Sequence, residues 1–191
     1  MWHASGGPAY KFGMRVLNSR DHALPQDRSR LYIVGLRADL GADIVWPKLC
    51  PPVALSTIYD ARHTTQPIES CFALGETASR NIRKYIADIA EHGIPENKDF
   101  VIDIHEGRGA SLHYDKMPTI TRTRGASLAY ALCKFGTQIR LQELMRAQGL
   151  RPERVCIDNL SQRDVGSLMG NAMSVNVVRD ILRVNLHALG F

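Results

Sequence analysis

The two ends of the chain constrain it most. Near the C-terminus, Val175, Val178, Leu182, Leu186 and Leu189 fall on one stripe at helical spacing, with Ser174 as a candidate N-cap, which predicts a helix over Val175 to Leu189. Near the other end, Leu31 to Val34 is an unbroken apolar run of aliphatic, aromatic and β-branched residues, closed by Gly35. That is the pattern of a strand covered on both faces in an α/β sheet. Met14, Val16 and Leu17 predict a shorter strand before it, joined by a polar connection from Ser19 to Ser29 that contains Pro25. Stripe and strand each need a cover, so Val178, Leu182 and Leu186 are expected to pack on Leu31 to Val34. Two strands and one helix cannot cover both faces of a sheet. The chain is therefore expected to be part of a larger α/β domain.

Between the ends, residues 38–66 read as loop, with Pro47, Pro51 and Pro52 and little periodicity. Ile82, Tyr85, Ile86 and Ile89 predict a helix from Thr77 to His92, stopped by Gly93 and Pro95. Phe100 to Ile104 reads as a strand, Gly107 to Gly109 as a turn, Pro118 to Thr121 as an extended piece, and Arg122 to Gly125 as a basic loop. Leu141 to Gln148 is a short helix ended by Gly149 and Pro152.

Charge is segregated along the chain. Residues 1–38 carry a net +4, residues 39–115 a net −5, residues 116–154 a net +6, and the remainder is neutral. Two basic blocks flanking an acidic middle suggest a positive face built from both flanks and a polyanionic partner. No uncharged apolar run approaches the ~20 residues of a membrane span, and no secretory signal is read at Met1, so an intracellular chain is expected. Cys50, Cys71, Cys133 and Cys156 form no Cys-x-x-Cys pair and have no His at zinc spacing. They are read as small buried thiols, with no metal site.

Four short stretches, in order, resemble one family. Gln26, Arg28 and Arg30, leading into the apolar strand, look like the Gln-x-Arg-x-Arg block of DNA (cytosine-5) methyltransferases. Pro118-Thr119-Ile120-Thr121 is similar to the Thr-Leu element near the end of that family's target-recognition region. Glu143, Arg146, Gln148 and Gly149 resemble its Glu-x-x-Arg-Leu-Gln-Gly block, with Ala147 in place of Leu. Gly170-Asn171-Ala172-Met173-Ser174-Val175 resembles the last block, which opens the final helix. The usual arginine pair before the third block is Thr137-Gln138 here, and one residue is inserted before Pro152. The resemblance covers residues 10–37 and 117–188 and leaves 38–116 as the variable stretch.

An arginine pair at i, i+2 entering a strand is expected on one side of the chain, where rigid guanidinium forks suit a base carbonyl or a phosphate. The resemblance implies that Arg30 reaches the carbonyl of the flipped cytosine while Arg28 and Gln26 position the site. It also implies that Asn171, Ala172, Met173 and Ser174 line the S-adenosyl-L-methionine pocket, and that Thr119, Arg122 and Arg124 face DNA. The fold implied is the C-terminal part of a Rossmann-like methyltransferase domain with a small, irregular recognition domain. The division expected is 1–37 for the sheet strands, 38–136 for recognition, and 137–191 for the return to the catalytic domain.

The same resemblance exposes a gap. The chemistry needs a thiolate that attacks C6 of cytosine and a carboxylate at N3. The family places them in Pro-Cys and Glu-Asn-Val blocks upstream of Gln-x-Arg-x-Arg, and the residues before Gln26 include no cysteine. Cys50 precedes its prolines, and Glu96-Asn97 lies in the variable stretch, so neither matches. The chain is therefore expected to be inactive alone and to act with a polypeptide that supplies the other half, in the nucleus if the source is eukaryotic. The rival expectation is a non-catalytic subunit or remnant that binds DNA or a partner.

Overall fold

The computed structural model describes residues 9–62, 64–92, 99–106 and 113–191. The predicted stop at Gly93 and Pro95, the Glu96-Asn97 pair and the turn at Gly107 to Gly109 lie outside them. β1 (Tyr10–Asn18) and β2 (Ser29–Arg37) pair antiparallel, with Tyr10 opposite Arg37 and Asn18 opposite Ser29. Side chains alternate across this ribbon. Leu17 and Tyr32 are buried on one face with Val34 beside them, whereas Phe12, Met14, Val16, Leu31 and Ile33 on the other are 59–71% exposed. The strand over Leu31 to Val34 is thus covered on one face among the described residues, not on both as its apolar run suggested.

The middle of the chain begins with loops and 3-10 turns, then α1 (Glu76–His92), which lays Ala78, Ile82 and Tyr85 on a small sheet. That sheet contains β3 (Phe100–Asp103) and β4 (His113–Tyr114). α2 (Arg122–Ala126) follows, then β5 (Tyr130–Leu132) and β6 (Thr137–Gln138). The order is β4-β3-β5-β6, all antiparallel. One side of the sheet packs on α1. The other joins a second core of Met117, Ile120, Tyr130, Leu144, Met145, Val165 and Met169.

That second core is closed by α3 (Leu141–Ala147) and α4 (Gln162–Asn171). Helix α4 is not predicted above, and the expected basic loop at Arg122 to Gly125 is instead helical. Both are explained by caps: Thr121 accepts from the Arg124 amide, and Ser161 accepts from the Asp164 amide. The two helices cross so closely that Cβ atoms on Gly125, Gly166 or Gly170 would overlap facing backbone. Gly170, the glycine of the last block, is required there because its neighbour is the Arg122 backbone.

The final helix, α5 (Val175–Ala188), returns to the ribbon as predicted, but rotated. Val177 and Ile181 pack on Leu17 and Tyr32, and Val178 lies at the edge. Leu182 and Leu186, expected to be inward, are 54% and 45% exposed. The inward face is set one residue earlier, roughly 100° around the helix. Asn185 fixes that rotation, because its amide exchanges two hydrogen bonds with the backbone of Val45. Cys50 and Cys156 are exposed, contrary to the buried reading. Cys71 is buried, and burial pushes the Cys133 thiol up to about 12.

Candidate functional site

The Gln-x-Arg-x-Arg segment is held in place before β2 begins. Gln26 and Met117 form a parallel bridge, in which the Asp27 amide donates to the Met117 carbonyl at 2.8 Å and the Met117 amide donates to the Pro25 carbonyl at 2.9 Å. The Thr119 hydroxyl donates to the Asp27 carbonyl at 2.7 Å. Lys116 and Asn18 grip the Asp27 carboxylate at 2.8 Å each, and those bonds hold its pKa below the usual carboxylate value. Gln26 itself is fully buried, and its two amide atoms have no partner among the described residues.

The two arginines of the block have opposite environments. Arg28 is 4% exposed. Its guanidinium donates to the Ile120 carbonyl at 2.6 Å and to the Gly170 and Ala172 carbonyls at 3.1 and 2.9 Å. Arg30 is exposed and donates to its neighbour's carbonyl, that of Ser29, at 2.7 Å. Both guanidinium groups lie close enough to Tyr32 to act on its hydroxyl, and what separates them is depth, Arg28 enclosed and Arg30 at the surface. Arg28 thus ties the first block to the Thr119 segment and to the last block, while Arg30 stands at a surface.

That surface is a cleft of about 500 Å³ lined by Asp27, Ser29, Arg30, His113, Pro118 and Thr119. Two predicted residues from distant parts of the chain, Arg30 and Thr119, therefore meet in it. His113 was missed, since a histidine on a two-residue strand carries no periodic signal. Arg122 is exposed and donates to the Ser167 hydroxyl at 3.1 Å. Arg124 is paired with Asp103 at 2.5 Å, so its charge is compensated within the fold.

A buried polar hub joins the third and fourth blocks. The Ser174 hydroxyl lies 2.6 Å from that of Ser19 and donates to Gln148 Oε1 at 3.2 Å, while the Gln148 amide donates to the Met169 carbonyl at 2.7 Å. Ser174 occupies the N-cap position of α5 without making a side-chain cap bond, because its hydroxyl is engaged inward. Asn171 ends α4 rather than sitting in a turn, and its side chain is exposed. Ala172 offers its carbonyl to Arg28, and Met173 is 62% exposed. Met173 opens an apolar groove of about 630 Å³ along Val175, Val178, Leu182 and Leu186.

The Glu143 block is equally structural. Its fully buried carboxylate pairs with Arg62, accepts from the Asp60 amide at 3.0 Å and from the Arg140 amide at 2.8 Å, while Arg146 binds Asp60 at 2.6 Å. These contacts anchor a loop of the variable stretch to α3. Among the described residues no group of His, Cys, Asp or Glu could hold a metal, and no helix is long and apolar enough to cross a membrane.

The family model described as C-5 cytosine-specific DNA methylase matches residues 4–186. Over 39 residues, 20% of this chain, the sequence is 46% identical to the Type II methyltransferase M.MthTI of Methanothermobacter thermautotrophicus. That match covers 12% of the relative, so this chain accounts for a small part of its length.

Proposed function

The chain belongs to the C-5 cytosine-specific DNA methylase family, and from that premise we propose that it is the C-terminal part of a DNA (cytosine-5) methyltransferase. In this reading residues 1–37 supply sheet strands of a Rossmann-like catalytic domain, 38–136 recognise the target, and 137–191 lead back to the catalytic domain. The whole enzyme transfers a methyl group from S-adenosyl-L-methionine to C5 of cytosine in DNA, and acts inside the cell, in the nucleus if eukaryotic. The observation that carries the reading is the cleft where Arg30 and Thr119 meet, locked behind by Arg28.

Attack on the cytosine ring builds electron density that reaches its carbonyl oxygen. A guanidinium fixed there stabilises that charge in a water-excluded site. Among the described residues that line the cleft, Arg30 is the cation able to do this. Arg28 holds the cleft by its backbone and does not touch the base. Arg122, exposed, is a phosphate contact, whereas Arg124 stabilises the fold through Asp103.

The family's cofactor, S-adenosyl-L-methionine, supplies the methyl group when bound. The last block fits it in part: Asn171 and Met173 face outward and would line its site, with Ala172 giving backbone between them. Ser174 does not fit, because its hydroxyl is engaged with Ser19 and Gln148.

No cysteine of the chain follows a proline, so methyl transfer by the chain alone is not expected. The exposed face of Phe12, Met14, Val16, Leu31 and Ile33 suits an apolar partner surface carrying the nucleophile. The same face would serve if that half were a separate subunit. The test is transfer of a labelled methyl group to a cytosine-containing duplex. The chain should be silent alone and active when joined by an N-terminal polypeptide bearing Pro-Cys and Glu-Asn-Val. Arg30→Ala should then lower the rate roughly 10²-fold. Robust transfer by the chain alone, or none on reconstitution, would overturn the reading.

A further inference from the structure

We infer that Arg163 is a phosphate contact for DNA, standing with Arg122 and Ser167 on one basic face where α2 and α4 cross. The inference rests on the reading of the chain as part of a DNA methyltransferase. It extends the DNA surface onto α4, beyond the region assigned to target recognition.

The crossing brings the three residues together. Gly125, Gly166 and Gly170 let the two backbones approach so closely that α2 and α4 hold one fixed relation. Arg122 Nε donates to the Ser167 hydroxyl at 3.1 Å, which orients the guanidinium. Its two terminal nitrogens have no partner among the described residues and stand as a pair, the geometry that takes two oxygens of a phosphate. The Ser167 hydroxyl accepts from Arg122, so its own proton is left for a further phosphate oxygen. Arg163 is exposed and lies four residues before Ser167, on the same face of α4, with Cβ atoms about 5–6 Å apart.

Charge sets this face apart from the rest of the molecule. Arg37, Arg62, Arg124, Arg140 and Arg146 each have a carboxylate within 4 Å. Arg122 and Arg163 have none among the described residues, and the acid beside them on α4, Asp164, is turned to the Ser161 hydroxyl at 2.6 Å. Two uncompensated guanidinium groups on a fixed surface suit a polyanion, which releases its counterions on contact. The position fits as well. Thr119 lines the cleft with Arg30, and Arg122 follows three residues later, at most about 11 Å along the chain. Phosphates held by Arg122 and Arg163 therefore flank the nucleotide in the cleft. They carry no sequence information but fix the register of the duplex over Arg30.

The experiment titrates the full 191-residue chain into a labelled cytosine-containing duplex and follows anisotropy over a range of salt concentrations. Arg163→Gln should weaken binding roughly 2- to 5-fold at low salt and lower the slope of log K against log salt by about 0.9, the loss of one phosphate contact. Arg163→Lys, which keeps the charge, should keep the slope. Lys84→Gln removes the same charge from the exposed face of α1, across the small sheet from α4, and should leave affinity and slope unchanged. All three variants should melt with the wild type, since each replaces an exposed side chain. An unchanged slope in Arg163→Gln, an equal loss in Lys84→Gln, or a slope lost in Arg163→Lys would overturn this inference alone. A wild-type chain that binds no duplex would overturn the DNA reading with it.

Discussion

Replacing Arg28 by methionine keeps the apolar stem of the side chain and removes its guanidinium fork. Three carbonyls, those of Ile120 and Gly170, both buried, and of Ala172, half-buried, then lose a donor at once. Hydrogen bonds to charged groups contribute about 1.5–3 kcal/mol each, but the three share one guanidinium, and removing a buried cation also relieves its desolvation cost. The net loss should be about 4 kcal/mol, near the middle of the range for breaking a buried charged contact. For a chain of this length, ~1 kcal/mol moves the melting temperature by about 2–4 °C, so a fall of roughly 8–16 °C is expected. Arg28→Lys should give an intermediate fall, since one ammonium cannot span carbonyls on both sides. The internal control is Arg30→Met, two residues away and exposed, where a change within ~0.5 kcal/mol is expected. The assay is thermal and urea unfolding followed by far-ultraviolet circular dichroism. Equal shifts for Arg28→Met and Arg30→Met would refute the assignment of Arg28 as the fastener and Arg30 as the surface donor.

Gly170→Ala should cost about 3 kcal/mol or more by forcing α4 away from the Arg122 backbone, and an unchanged urea midpoint would contradict the crossing described here. Asp27, held below its usual pKa by Lys116 and Asn18, contributes stability that is present above pH 3.8 and lost as pH falls through its folded value. Lys116→Met should flatten that acid limb in a pH series of unfolding midpoints, and an identical limb would count against the Asp27 bonds. Phe12→Lys with Ile33→Lys should leave the melt nearly unchanged and abolish association with an N-terminal half in size-exclusion chromatography; retained association would place the partner elsewhere.

Much of the framework was legible because it is periodic. Helix α1 begins within one residue of its predicted start, and α3, α5 and β3 match within one residue at each end. Helix α4 has an amphipathic pattern too weak to stand out, although Ser161 followed by Asp164 is a capping signal. The rotation of α5 was hidden because Val177, Val178, Ile181 and Leu182 are all apolar and allow either face to turn inward. What selects one is the polar residue Asn185, through a loop that periodicity cannot place. The site was half legible. Short motifs indicated Arg30 and Thr119, but that Arg28 would be enclosed and Arg124 neutralised depends on Asp103 and on carbonyls more than 90 residues away.

The contact between Ser19 and Ser174 joins residues 155 positions apart. Closing a loop of that length costs about 4.5 kcal/mol of chain entropy, more than a single hydroxyl contact returns. The ribbon and α5 should therefore come together late, after the middle of the chain has folded and shortened the effective gap. On a ribosome adding about 5–20 residues per second, β2 emerges roughly 7–30 s before the residues that cover it. During that interval the Leu17 and Tyr32 face, which α5 covers in the folded chain, lies open to water. Synthesis of this chain therefore passes through an obligatory window of aggregation risk, which slower translation of the central segment lengthens and a holding chaperone on the nascent ribbon would close.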